Sequence, residues 1–343
     1  MQSKIAEYRA IQLTGKSTYI ISLPKTWVRK TKLSKGSKVL IEELGNNALI
    51  LKPINMEKES KKETVIQSGG FSELETVYRE IVSAYLAGAN IIKIVFNRDL
   101  LRCSDEIKTF IKEKLMGFEI LEESSNFMTT QSLIRFNELP LKKVLERMWV
   151  TTYYMIKDVI KALKLNDVEL AENVIKRDDE VDRFHFYSIR QIRHAIEDIE
   201  TLHSIGLNKL EELLEYKSII KSIERIADHT TRIAKMIKRL NKRLARNLVK
   251  DLEELAEKSV NMFESAMRAL YKMDKSLAHN VLNSLEETQS LEEKLTRKYI
   301  LEDKGDKYKP LEIIAIKLIL DSLRRIAEYS SDIAEGVLNL TSI

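Results

Sequence analysis

Residues 155–174 read MIKDVIKALKLNDVELAENV, and residues 262–281 read MFESAMRALYKMDKSLAHNV. Aligned without a gap at an offset of 107, they agree at eight of twenty positions: Met155/Met262, Ala162/Ala269, Leu163/Leu270, Asp167/Asp274, Leu170/Leu277, Ala171/Ala278, Asn173/Asn280 and Val174/Val281. This is an internal duplication. At an offset of 100 the later segments also correspond, Arg225-Ile226-Ala227 with Arg325-Ile326-Ala327 and Ile233-Ala234 with Ile333-Ala334. Each copy reads as three helices, at about 139–164, 168–201 and 208–243, then 246–272, 275–301 and 309–340. Asp167 and Asp274 stand just before the second helix of each copy, where a carboxylate takes up free backbone N–H groups. Two antiparallel three-helix bundles are expected.

Outside the repeat the punctuation changes. Seven of the ten glycines fall before residue 121, whereas after Pro140 the chain holds one further proline, Pro310. With 343 residues, 44% hydrophobic and 32% charged, the chain has material for several packed domains and is not a disordered polymer. Its single cysteine, Cys103, excludes an internal disulfide framework and a cysteine-built metal site, and fits a reducing compartment. No uncharged apolar run of about 18 residues occurs, and the first residues lack the apolar core of a signal peptide, so a cytoplasmic protein is expected.

The formal net charge of +5 conceals a gradient. Residues 1–54 carry ten Lys/Arg against Glu7, Glu42 and Glu43, a net of +7; residues 55–137 sum to −2 and residues 138–343 to zero. A polyanionic partner would therefore meet the first 54 residues. There, residues 8–13 and 17–23 read as strands joined at Thr14-Gly15-Lys16, residues 38–42 and 48–51 as a hairpin, and Lys25–Lys30 as a short helix behind Pro24. So small a module buries too little apolar area alone, which points to a dimer.

Residues 56–62 have linker composition. Beyond them residues 64–67, 72–87, 91–96, 104–115, 118–121 and 132–135 give the order β-α-β-α-β-β of a small α/β domain over 63–137. It shows no phosphate loop and no catalytic constellation.

The second helix of the first copy carries acids in an unexpected place. At 100° per residue Val174, Ile175, Val181, Ile189, Ile192 and Ile196 form one stripe, and Asp178, Asp182 and His185 fall inside it. Asp178 and Asp182 are like-charged i,i+4 neighbours, costly to desolvate unless a cation neutralises them. The third helix supplies a second such pair, Glu224 and Asp228. Face to face, the two pairs make an oxygen-rich cage suited to Mg, Mn or Fe. The second copy departs from this: Asp182 aligns with Gln289, Glu224 with Arg324, Asp228 with Glu328 and His229 with Tyr329. At most one metal site is expected, in the first copy. His185, His194 and His203 are nine apart and alternate faces, so no two chelate one ion.

Two resemblances join these readings. Ile11-Gln12-Leu13-Thr14-Gly15, Ser22-Leu23-Pro24-Lys25-Thr26-Trp27-Val28 and Leu33-Ser34-Lys35-Gly36-Ser37-Lys38-Val39 resemble the SpoVT/AbrB family of swapped-hairpin domains. That resemblance implies a DNA-binding homodimer, with Arg9, Lys16, Lys25 and Arg29 as the DNA-facing cations, though some members serve as antitoxins or dimerisation modules. Arg177-Asp178-Asp179-Glu180-Val181-Asp182 and Glu224-Arg225-Ile226-Ala227-Asp228-His229 resemble the paired motifs of the PhoU family of phosphate-uptake regulators, a likeness that covers residues 140–340. It implies iron or zinc held by Asp178, Asp182, Glu224 and Asp228, and contact with a phosphate-transport ATPase or a sensor kinase.

The fold class expected is multidomain and mainly α. It comprises a swapped-hairpin β module at 1–54, an α/β domain at 63–137, and PhoU-like three-helix units at 138–244 and 245–343. The function expected is a non-enzymatic, DNA-binding regulator of phosphate uptake. The rivals are a PhoU-like adaptor that binds a transporter or kinase without DNA, and a metal-binding helical protein.

Overall fold

The computed structural model describes residues 7–43, 47–54, 62–67, 74–240, 243–302 and 308–343. It is mainly helical, with its strands confined to the first 132 residues, and it divides into two compact units, residues 1–61 and 62–343.

The first unit holds two separate antiparallel hairpins. Strands β1 (Gln12–Thr14) and β2 (Thr18–Ile20) pair with Leu13 opposite Tyr19, turning at Gly15, whose φ of +68° is costly for any residue with a Cβ. Strands β3 (Val39–Glu43) and β4 (Leu49–Pro53) pair from Val39↔Pro53 to Glu43↔Leu49. Between the hairpins lies α1 (Lys25–Lys30), entered through Pro24. The first pair of strands is shorter than the sequence pattern implies, and the expected Gly45-Asn46-Asn47 turn lies mostly outside the described residues, as does the linker through Lys61. Among the described residues 7–54 not one is buried. Ile11, Leu13, Tyr19, Ile41 and Leu49 are each more than half exposed.

In the second unit, β5 (Glu63–Gln67), β6 (Ile91–Val95), β7 (Phe118–Glu123) and β8 (Phe127–Ser132) form one sheet in the order β5-β6-β8-β7. The first pair is parallel and the other two antiparallel, with a bulge between Ile120 and Glu122. The last strand thus precedes the expected position at 132–135: Met128 and Thr130 alternate inward over Phe127–Ser132. Helices α2 (Leu74–Leu86) and α4 (Ser104–Lys114) pack Val77, Ile81, Tyr85, Ile107 and Ile111 against Ile92, Ile94, Phe118 and Met128. A short α3 (Arg98–Leu101), capped by Asn97, precedes α4.

The rest is helix: α5 (Leu141–Leu165), α6 (Val168–Glu197) and α8 (Glu212–Leu240), then α9 (Arg246–Lys272), α10 (Lys275–Thr296) and α11 (Pro310–Leu340). The expected helix 168–201 breaks at Asp198. Its carboxylate accepts from Thr201 N and Oγ1, each at 2.8 Å, and starts the short α7 (Ile199–Ser204). The expected 275–301 helix ends in a π-helical turn, Arg297–Leu301.

The duplication is repeated in backbone detail. Asn166 and Met273 both end their helices in the left-handed region, at φ of 58° and 51°. The next residue in each case is the N-cap, Asp167 accepting from Leu170 N at 2.9 Å and Asp274 from Leu277 N at 3.0 Å. The bundles meet along α8 and α11, where the backbone of Gly336 lies so close to Ile219 that a Cβ would stand 2.9 Å from Cγ1.

Candidate metal centre and nucleic-acid interface

Packing α6 on α8 brings the acids of the first copy together. Asp182, Glu224 and Asp228 each offer a carboxylate oxygen, all within 4.8 Å of one another. Asp178 sits one turn before Asp182 and borders the group rather than completing it within that radius. Glu224 is 9% exposed, and its Oε2 is buried without a hydrogen-bond partner, as is Oδ1 of Asp178. Buried carboxylate oxygens lacking a donor are costly.

The electrostatics record that cost. Loss of hydration, then Asp182 and Asp228, raises the Asp178 carboxyl to about 7. Asp228, an exposed residue, goes up to about 6 through desolvation, then Glu224 and Asp182. Burial also raises Asp182, and Lys114 is the strongest charge pulling it back down. At the rim, Lys221 Nζ lies 2.5 Å from Glu224 Oε1. His185, whose Nδ1 is buried and unpartnered, is held near 4 by desolvation. An all-carboxylate set suits a hard cation such as Mg, Mn or Fe, and suits Zn less well. The orphaned oxygens fit such an ion.

In the second copy an arginine stands among the acids. Lys221 and Glu224 correspond to Asp321 and Arg324, so the signs of this i,i+3 pair are exchanged; His185 corresponds to Glu292, and Asp178 to Leu285. Arg324 donates to Asp321 Oδ1 at 2.9 Å and to Glu328 Oε1, and stands 3.9 Å from Glu292 Oε2. Gln289 donates to Glu328 at 3.3 Å, across the helix pair that corresponds to the one setting Asp182 against Asp228. Glu292, 4% exposed, also takes Lys317 at 2.8 Å and the Thr296 hydroxyl at 2.6 Å. A guanidinium is the cation of this cluster.

The apolar pattern does not reveal one buried charge. Arg190 on α6 is 1% exposed and donates to the Tyr85 carbonyl at 2.9 Å. Its guanidinium lies 5.1 Å from the ring centres of both Tyr85 and Phe118. Burial lowers it to about 10. It fastens the α/β sheet and α2 to α6, and Phe186 adds an apolar contact to the same core. Arg190 falls outside the apolar stripe of α6, so the sequence pattern carries no signal for it.

In the first unit Arg9, Lys16, Lys25 and Arg29 are all exposed. Lys25 and Arg29 are four apart on α1, on one face; Lys16 lies in the β1–β2 turn, and Arg9 pairs with Glu7.

A duplicated three-helix bundle with acidic side chains facing one another across the second and third helices of its first copy defines the class of helical-bundle protein. The PhoU domain matches residues 145–237 and again 252–337, half of the chain, and the chain belongs to the PhoU family. Residues 12–59 match the antidote-toxin recognition domain of MazE, a bacterial antitoxin, so the N-terminal module is MazE/AbrB-like. A phosphate-specific transport system accessory protein PhoU homolog of Clostridium acetobutylicum is 25% identical over 201 residues, 58% of this chain and 90% of that one. Another from Borreliella burgdorferi is 33% identical over 125 residues, 35% of this chain and 55% of that one. The crystal structure of PhoU from Pseudomonas aeruginosa superposes with a TM-score of 0.55 at 19% identity, covering 61% of this chain and 99% of that one. Among the described residues no helix is long and apolar enough to cross a membrane.

Proposed function

We propose that this chain is a DNA-binding regulator of phosphate transport. Residues 1–54 of two copies interleave into one basic module, residues 63–137 connect, and the bundles at 138–244 and 245–343 engage a phosphate-transport ATPase or a sensor kinase. The named relatives are accessory proteins of phosphate-specific transport systems, which supports the second part. The observation that carries the first part is the surface of the N-terminal unit. It combines a net charge of +7 with exposed apolar side chains and no buried residue among those described. Such a module completes its core with a second copy, which doubles the positive charge on one body. Arg9, Lys16, Lys25 and Arg29 then face phosphate oxygens. In the first bundle, Asp178, Asp182, Glu224 and Asp228 hold a divalent or ferric ion, which neutralises the acids and supplies a fixed positive centre between α6 and α8.

Fluorescence anisotropy of the full chain on duplex DNA between about 50 and 200 mM salt tests the reading. Log affinity should fall linearly with log salt, with a slope of about −0.9 per phosphate contacted. A Lys25→Ala, Arg29→Ala double variant should make the slope shallower by roughly one unit per contact removed. Absence of binding at the low-salt end would leave the adaptor that dimerises without DNA.

A further inference from the structure

The acidic group of the first bundle is reached by a side chain from outside that bundle. Lys114 is the last residue of α4, in the α/β part of the second unit. Its Nζ lies 2.5 Å from Asp179 Oδ1 and 3.8 Å from Asp182 Oδ2, and the side chain is 23% exposed. The position is fixed from behind: Arg190, eight residues beyond Asp182 on α6, is buried between Tyr85 and Phe118 and holds the α/β part onto the same helix.

We propose that Lys114 is a tethered counter-cation of this acidic group, competing with a divalent metal for Asp182, so that metal loading releases the end of α4 from α6. The inference rests on the metal reading given above. Its independent support is geometric. Glu224, nine-tenths buried, keeps an unpartnered Oε2 in the group, so the nearby lysines leave the cluster short of positive charge. Lys221 meets only Oε1, and Lys114 touches Asp182 at the outer limit of an ion pair. In the second bundle the acids of the equivalent cluster are bridged by Arg324, a cation on the same helix as two of its partners. In the first bundle the cation beside Asp182 comes from another part of the fold, and a cation supplied that way can leave. A metal ion on Asp182 would repel an ammonium a few ångströms away, and each would weaken the other's hold by the same factor.

The test uses the full chain, with Mn²⁺ as probe. Calorimetric titration compares the unaltered protein with Lys114→Gln and Asp182→Asn, and hydrogen exchange of residues 104–115 is followed with and without Mn²⁺. Lys114→Gln keeps the first two methylenes of the stem, and Arg190 still holds the α/β part in place, so the variant stays folded. The expected results are about tenfold tighter Mn²⁺ binding by Lys114→Gln, the size of one partly screened charge interaction, and Lys114→Arg close to the original chain. Mn²⁺ should accelerate exchange at the end of α4 in the unaltered protein and leave it unchanged in Lys114→Gln. Binding by Lys114→Gln alone would equally support the proposal, as full blockade. If Asp182→Asn weakens binding while Lys114→Gln does not strengthen it, the metal site stands and the counter-cation role is overturned. If neither the unaltered chain nor Lys114→Gln binds Mn²⁺, or Asp182→Asn binds it unchanged, the site reading falls and the proposal with it.

Discussion

Replacing Arg324 by methionine removes the cation of the second bundle and leaves Asp321, Glu292 and Glu328 facing one another. Breaking a fully buried ion pair costs about 3–5 kcal/mol, and an exposed one less than about 1 kcal/mol. Arg324 lies between these limits, with its side chain 25% exposed against 5% for Glu292 and 18% for Glu328. Burial opposes its charge, yet Asp321, Glu328 and Glu292 together hold its pKa above the usual value. The acids are not left bare: Glu292 keeps Lys317 and Thr296, and Glu328 keeps Arg325 at 2.9 Å and Gln289. The expected loss is therefore about 2 kcal/mol at neutral pH, a fall in melting temperature of about 4–8 °C. Lysine at this position keeps the charge without the two-pronged fork and should recover about half of that loss. Urea unfolding of Arg324→Met, followed by circular dichroism at neutral pH, measures this. A loss below about 0.5 kcal/mol would refute the view that Arg324 neutralises this cluster.

Other expectations are quicker to check. With divalent ions chelated, Asp178 and Asp228, raised to about 7 and about 6 from 3.8, contribute stability that is complete below about pH 4 and lost as the pH rises through those values. Asp178→Asn should flatten its share of that slope in denaturant titrations between pH 4 and 8. Met273→Gly should stabilise the chain by about 0.5–1 kcal/mol, since Met273 holds φ at 51° where glycine is unstrained; a lower urea midpoint would contradict this. Gly336→Val forces its side chain into Ile219 and should cost about 1–3 kcal/mol, read in the same assay.

The parts of the fold legible in the sequence were those written as repeats or caps. The match of residues 155–174 to 262–281 marked two bundles, and Asp167 and Asp274 marked the helix starts that the structure shows. Aligning the copies placed Arg324 opposite Glu224 and Gln289 opposite Asp182, which was enough to anticipate a cation in the second cluster. Misses came where chemistry and periodicity disagree. Asp198 interrupts a pattern that stays helical on both sides, so its capping bonds are hidden by the period. The last strand runs over Phe127–Ser132, ahead of the expected 132–135. Ile196 continues the apolar stripe and is 57% exposed, while Arg190 lies off the stripe and is buried. Hydrophobic pattern reports a preference for leaving water, and Arg190 is held inside by two rings and a carbonyl that lie far away in sequence. Lys114 escaped for the same reason: its partners are 65 and 68 residues further along the chain.

The lack of any buried side chain among the described residues of the N-terminal unit has a consequence for dosage. A module with no fully buried side chain of its own has little intrinsic free energy of folding, so under the proposed pairing its order would be set by mass action between copies. Below a threshold amount of protein the helical bundles would stay folded with the basic module unformed; above it, occupancy of a proposed nucleic-acid site would climb with the square of chain concentration. The chain would then gauge its own abundance as well as whatever its bundles detect.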